Sequence, residues 1–324
     1  MDKEGQETLK LLENDLQNAV QQLAVDKAVW DPNFDSIKFK AIMAGLGKIL
    51  SSDATKLTLA CKPPCKTSDM KPMVKGMQET VKRISGFVDT IPPTSGRTYL
   101  EHIQKLARSA FTASISLCKS LAEAEDASKI DQILKTTGSV WDVCKSFESQ
   151  VASNNREAVE KQWKGVSEMV ADAQEELQDF IAEQNADDNE EEEEDDGWGD
   201  IMENGTKMTP EQLEACKKTF NMIKMTSMVL KKVQLRFIAT ASNDAETNIW
   251  LDDLSRAGST VSDQIDIVAS SFYEEDANLK DYIASFVASA LSLITIVETR
   301  VKEDEHVRWF QVSKAQAIGT GGGG

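Results

Sequence analysis

Apolar positions recur at intervals of three and four along most of the chain, the spacing of one face of an α-helix. Glu7–Val25 carries Leu9, Leu12, Leu16, Val20 and Leu23 on such a stripe, and Trp30-Asp31-Pro32 breaks it. Ile37–Leu59 follows, with Ile42, Leu46, Ile49, Leu50 and Leu57 as its expected inner face. Pro63-Pro64 ends that helix, because proline has no N–H to donate and restricts the residue before it. Met70–Ile91 places Met73, Met77, Val81, Ile84 and Val88 inward, and Pro92-Pro93 stops it. Thr98–Ala122 bears Leu106, Ala110, Ala113 and Leu117; Asp126–Phe147 bears Ile130, Ile133, Leu134, Val140, Trp141 and Cys144. The clearest seam is Val159, Trp163, Val166, Val170, Ala173, Leu177 and Phe180, a heptad pattern of helices packed at a shallow angle.

Beyond residue 200, Thr209-Pro210-Glu211-Gln212 is a strong helix opening. Thr209 can cap, Pro210 suits the first helical position and Gln212 stands three residues after the cap. The stripe runs on through Leu213, Cys216, Phe220, Ile223, Leu230, Val233 and Phe237. Asp244–Phe272 and Asn278–Val301 are the eighth and ninth helices, and GTGGGG reads as a tail. No stretch alternates with the period of two that marks a strand. The pattern predicts an all-α protein: two up-and-down bundles of long amphipathic helices. Leu, Met and aromatic stripes of this kind ordinarily face a core.

Asp187–Asp200 interrupts the helical pattern. Its sequence, DDNEEEEEDDGWGD, holds ten carboxylates in fourteen residues and no basic side chain. Like charge at that density repels itself and has almost nothing apolar to bury, so it is expected to remain solvated. It divides the sequence into an N-terminal helical region (1–186), an acidic linker (187–200), a C-terminal helical region (201–310) and a Gly-rich tail (311–324). The run supplies ten of the negative charges in a chain whose net charge is −18. Such a balance argues against direct contact with nucleic-acid phosphates or anionic lipid, both of which need clustered positive charge. It suits a basic partner.

The five cysteines are odd in number and mostly inside helical patterns, which fits a reduced intracellular protein. The start, MDKEGQETLK, lacks the apolar core of a signal peptide. No apolar run is expected to reach the roughly 20 residues that span a bilayer; Tyr282–Val301 is cut by Ser285, Ser289, Ser292, Thr295 and Glu298.

Catalytic chemistry is not legible. His102 and His306 are the two histidines, and neither belongs to an HExxH pair or a Cys/His cluster. Cys61 and Cys65 are two thiols four apart, with no second pair to complete a zinc site. No phosphate-binding glycine loop, EF-hand or basic region ahead of a helix is present. No cofactor is expected, and the chain does not read as an enzyme.

The candidate site is a linear motif in the acidic run. Glu190, Glu191, Glu192, Glu193 and Glu194 would attract a basic rim, and Trp198, flanked by glycines, would anchor in a groove. The other reading has Trp198 folding back onto its own bundle and pinning the linker, the commoner fate of a large aromatic.

The layout of helical half, glutamate-rich break and Trp-containing opening to a second helical half resembles the cyclin-D1-binding protein 1 family, also called Grap2 and cyclin-D-interacting protein. Trp198–Val233 carries the likeness best, with TSGRTYLEHIQKLARSAFTASISLCKSL and TGSVWDVCKSFE in the first half. The resemblance implies an all-helical protein of cytoplasm and nucleus. Its implied partners are proteins: D-type cyclin, helix–loop–helix regulators and an adaptor protein. Its implied role is to restrain cell-cycle progression and transcription. The alternative from another class is a structural adaptor of the vinculin or α-catenin kind, which also stacks long amphipathic helices.

Overall fold

The computed structural model describes residues 1–23, 30–62, 64–123, 129–186, 208–273 and 278–321, and among them every regular element is helical. Ten α-helices run in chain order: α1 Lys3–Gln22, α2 Ser36–Ala60, α3 Thr67–Val88, α4 Arg97–Ala122, α5 Ile130–Ser149, α6 Asn155–Ala186, α7 Pro210–Val233, α8 Ala245–Tyr273, α9 Leu279–Glu298 and α10 Asp304–Gly321. A short 3₁₀ turn, Pro93–Ser95, precedes α4, and a π-helical turn, Gln234–Ile238, extends α7.

The helices form two units, each around its own core. The first comprises Met1–Ala158 with Asn243–Asn248; the second comprises Val159–Ser242 with Ile249–Gly324. The division therefore falls inside α6 and α8. The sequence placed it at the acidic run, with the whole of α6 in the N-terminal region. Packing assigns the α6 seam otherwise: Val159, Trp163, Val166, Val170, Ala173 and Leu177 belong to the core of the second unit. An amphipathic stripe shows that a helix will be buried on one side. It carries no record of which neighbours bury it.

In the first unit, five helices close a ring around one core: α1 packs on α3 and α4, α2 on α3 and α5, and α4 on α5. Caps start two of them. The Asp2 carboxylate accepts from Gly5 N at 2.7 Å, and the Asp35 carboxylate accepts from Ile37 N and Lys38 N. The inner face of α2 is Phe39, Met43, Leu46, Leu50, Ala54 and Leu57. Ile42 and Ile49, expected inward, are exposed. Gly47 decides the rotation. A Cβ there would lie 2.9 Å from the Cys144 carbonyl oxygen, so only a glycine lets the α5 backbone come this close. On α5 the buried positions are Ile133, Thr136, Thr137, Val140, Cys144 and Phe147, which turns Ile130, Leu134 and Trp141 outward. Trp141 still finds a partner for its indole N–H, the Thr55 hydroxyl at 3.0 Å.

In the second unit, α6 lies alongside α8 and reaches α7. Gln162 Nε2 donates to Ser259 Oγ at 2.8 Å, and Trp163 Nε1 donates to the Leu230 carbonyl at 3.1 Å. The predicted start of α7 is present as a full capping box: Gln212 N donates to Thr209 Oγ1, and Thr209 N donates to Gln212 Oε1. The helix α10 corrects the sequence reading, which treated 311–324 as a tail. Phe310, Ser313 and Ala317 are buried at helical spacing, and α10 packs on α9 and α7. Beyond Phe310 the stripe is serine and alanine, which carry too little apolar signal to reveal a helix.

The helix α9 also corrects an expectation. By length and composition it is apolar enough to cross a bilayer. Its buried residues, Phe286, Val287, Ala290, Leu293, Ile294 and Val297, nevertheless form one stripe in the core of the second unit. That is the pattern of an amphipathic core helix.

Candidate functional site

Glu190, Glu191, Glu192, Glu193, Glu194 and Trp198 lie outside the described residues, as does the rest of the acidic run. What the structure adds is a polar junction in the first unit that the sequence did not reveal. The chain leaves α3 through Pro92, makes the 3₁₀ turn and enters α4 at Gly96, whose φ of 97° is open to glycine but strained for other residues. Against Gly96 sits Asn155, 1% exposed, at the start of α6. A Cβ at residue 96 would fall 2.1 Å from Asn155 Cγ. Asn155 Oδ1 accepts from Tyr99 N at 2.8 Å, and its Nδ2 donates to the Asn248 carbonyl at 3.2 Å. Asn248 Nδ2 donates in turn to the Thr94 carbonyl at 2.9 Å. Two buried amides thus tie the starts of α4, α6 and α8 together, and buried amides are costly unless bonded in this way. The available signal in the sequence was the glycine after Pro92-Pro93. Nothing in residue spacing linked it to asparagines 59 and 152 positions away.

The titratable groups reveal no reaction centre among the described residues. His102 Nε2 donates to the Gln150 carbonyl at 2.8 Å, a structural bond. His306 Nε2 stands 3.3 Å from the Glu303 carboxylate, and its ring meets Phe237 edge-on. All five cysteines are free. Burial pushes the thiols of Cys61, Cys118, Cys144 and Cys216 up to about 12, far from the range where a thiolate forms at neutral pH. No group of three or more His, Cys, Asp or Glu side chains among the described residues is arranged to hold a metal. Buried amides and protonated thiols hold helices in place; they do not move protons or attack bonds.

Comparison with known proteins supplies what the geometry leaves open. The model of the family described as Grap2 and cyclin-D-interacting, N-terminal, matches residues 43–183, from the second turn of α2 through most of α6. A relative from Danio rerio, named cyclin-D1-binding protein 1 homolog, is 25% identical over 295 residues, 86% of this chain and 83% of its own length. The chain thus resembles this family along most of its length. A Xenopus laevis protein of the same name is 26% identical over 229 residues, 70% of this chain and 69% of its own length. A Schizosaccharomyces pombe protein described as uncharacterized is 21% identical over 278 residues, 83% of this chain and 81% of its own length. Gly96, Tyr99 and Asn155 all fall inside the stretch that matches the Grap2 and cyclin-D-interacting family.

Proposed function

We propose that this protein is a non-enzymatic regulator that binds a D-type cyclin, and through it and helix–loop–helix regulators restrains cell-cycle progression and transcription in cytoplasm and nucleus. The observation that carries the reading is a likeness: two relatives aligned over most of this chain are named for binding cyclin D1. The helical fold and the buried, protonated thiols are in keeping with a protein that acts by occupying surfaces. An adaptor protein is a further partner on the same family grounds.

Within this proposal the acidic run is the contact element. Glu190–Glu194 steer a basic partner through long-range attraction, which is screened over about 8 Å at physiological ionic strength. Trp198 then supplies the short-range apolar contact. Association kinetics with a D-type cyclin at low and high salt test both parts. Replacing Glu190–Glu194 by glutamine is expected to slow association and flatten its salt dependence. Trp198→Ala is expected chiefly to raise the dissociation rate. Binding of unchanged rates in both variants would reduce the run to a spacer, and no binding by the parent chain would overturn the cyclin assignment itself.

A further inference from the structure

In the second unit, α7 turns basic after its first turn. From Ala215 to Ile238 the sequence holds Lys217, Lys218, Lys224, Lys231, Lys232 and Arg236 and no acidic residue, in a chain whose net charge is −18. Lys224, Met228, Lys231 and Leu235 are all exposed, and their spacing of four, three and four puts them on one face. Met228 is 52% and Leu235 59% exposed. A single exposed apolar side chain would be ordinary. Here two of them alternate with two lysines along one stripe.

Helix α10 extends this face. Lys232 Nζ lies 4.3 Å from the centroid of the Trp309 ring, and Phe237 meets His306 edge-on at 6.0 Å. Advancing along α7 therefore means retreating along α10, so the two helices run antiparallel. Met228 stands one turn before Lys232 and Val312, also exposed, one turn after Trp309, which puts the two at the same level across the seam. Arg308 is exposed next to Trp309. Lys224, Lys231, Arg236 and Arg308 have no ion pair among the described residues, whereas Lys218, Arg256 and Lys314 of the same unit each have one. The acids nearest in sequence are engaged. Glu303 stands 3.3 Å from His306, and Asp304 and Glu305 lie in the first turn of α10, where they offset the helix dipole.

We propose that this face of α7 and α10 docks an amphipathic helix of a partner protein, one whose apolar stripe is flanked by glutamate or aspartate. Met228, Leu235 and Val312 receive the apolar stripe, with the partly buried Trp309 beside them. Lys224, Lys231, Arg236 and Arg308 pair with carboxylates on its flanks. From Lys224 to Leu235 the face extends roughly 16 Å, about three turns of such a helix. The unpaired cations set the sign of the partner. A surface for nucleic-acid phosphates would place basic or polar side chains where Met228 and Leu235 stand. The docking face uses none of Glu190–Glu194 or Trp198 and does not rest on the cyclin assignment.

The test uses the full chain and a short helical peptide with leucines at intervals of three and four and glutamates on both flanks. Two control peptides replace the glutamates by lysine or the leucines by serine. Nuclear magnetic resonance reads the Met228 methyl and the Trp309 indole N–H. The expected result is a saturable shift of both signals with the glutamate peptide, several-fold weaker at high salt or with the serine control, and none with the lysine control. Lys231→Glu combined with Arg236→Glu, both exposed, is expected to abolish the response to the glutamate peptide while the circular dichroism spectrum stays unchanged. Absence of a saturable shift, an equal response to the lysine control, or an unchanged response in the charge-reversed variant would overturn the proposal. So would a matching shift from a DNA duplex or from phosphatidylserine vesicles. Without peptide, a shift that grows with protein concentration would assign the face to a second copy of the chain, and one produced by replacing Glu190–Glu194 with glutamine would assign it to the chain's own acidic run; either overturns the proposal.

Discussion

Gly258 of α8 lies against the face of the Trp163 indole, so close that a Cβ on residue 258 would stand 2.7 Å from Trp163 Cζ3. The ring cannot yield, because it is 1% exposed and its N–H is held by the Leu230 carbonyl. Gly258→Ala, which would ordinarily favour a helix, is therefore expected to destabilise the protein by about 1–3 kcal/mol through overpacking. Trp163→Ala is expected to cost on the order of 3–5 kcal/mol. Denaturant unfolding of the two variants and of the pair together measures this. In the Trp163→Ala background, adding Gly258→Ala is expected to cost nothing further, since the ring it would strike is gone.

Gly96 and Asn155 form the corresponding lock in the first unit. At a φ of 97° an alanine carries backbone strain of about 1–3 kcal/mol, and its methyl would overlap the Asn155 amide. Gly96→Ala is expected to exceed the strain alone. Asn155→Ala leaves Tyr99 N and the Asn248 carbonyl short of a partner, for about 1–3 kcal/mol. The double variant is expected to lose less than the sum, because removing the amide makes room for the methyl. Strict additivity in thermal melts would show that the two residues do not share the space.

Thiol chemistry offers a test of the cores. Burial raises four thiols to about 12, and Cys65, the partly exposed fifth, is also raised, first by burial. Under native conditions near pH 8, a disulfide-exchange reagent is expected to modify at most Cys65, and that slowly. In denaturant all five should react at once. Rapid native labelling of Cys118 or Cys144 would mean that the first core opens readily.

Acid is expected to loosen the starts of α1 and α2. Hydrogen bonds from Thr67 and Gly5 hold the Asp2 carboxyl below its ordinary 3.8, and bonds led by Lys38 N do the same for Asp35. A depressed folded-state value means that the charge stabilises the fold above about pH 3.8 and that this contribution is lost as pH falls through the lower folded value. Replacing Asp2 and Asp35 by asparagine keeps both caps but removes the charges. The melting temperature of the double variant is expected to fall less than that of the parent between pH 5 and pH 2.

The sequence by itself determined that this is a helical protein and where most helices begin and end. Capping residues, prolines and the three-four spacing act within a few residues of each other, so the capping box at Thr209 and the seam from Val159 to Leu177 were legible directly. The density of carboxylates in 187–200 was legible for the same reason, as charge is additive along a chain. Tertiary structure decided the rotation and partnership of the helices. Ile42 and Met43 are both apolar, and only the approach of α5 to Gly47 determines which faces inward. It decided that α6 serves the second core, that α10 docks through Phe310, Ser313 and Ala317, and that Asn155 meets Gly96 and Asn248. Those are contacts between residues far apart in sequence, set by volume and hydrogen-bond geometry, to which local periodicity is blind.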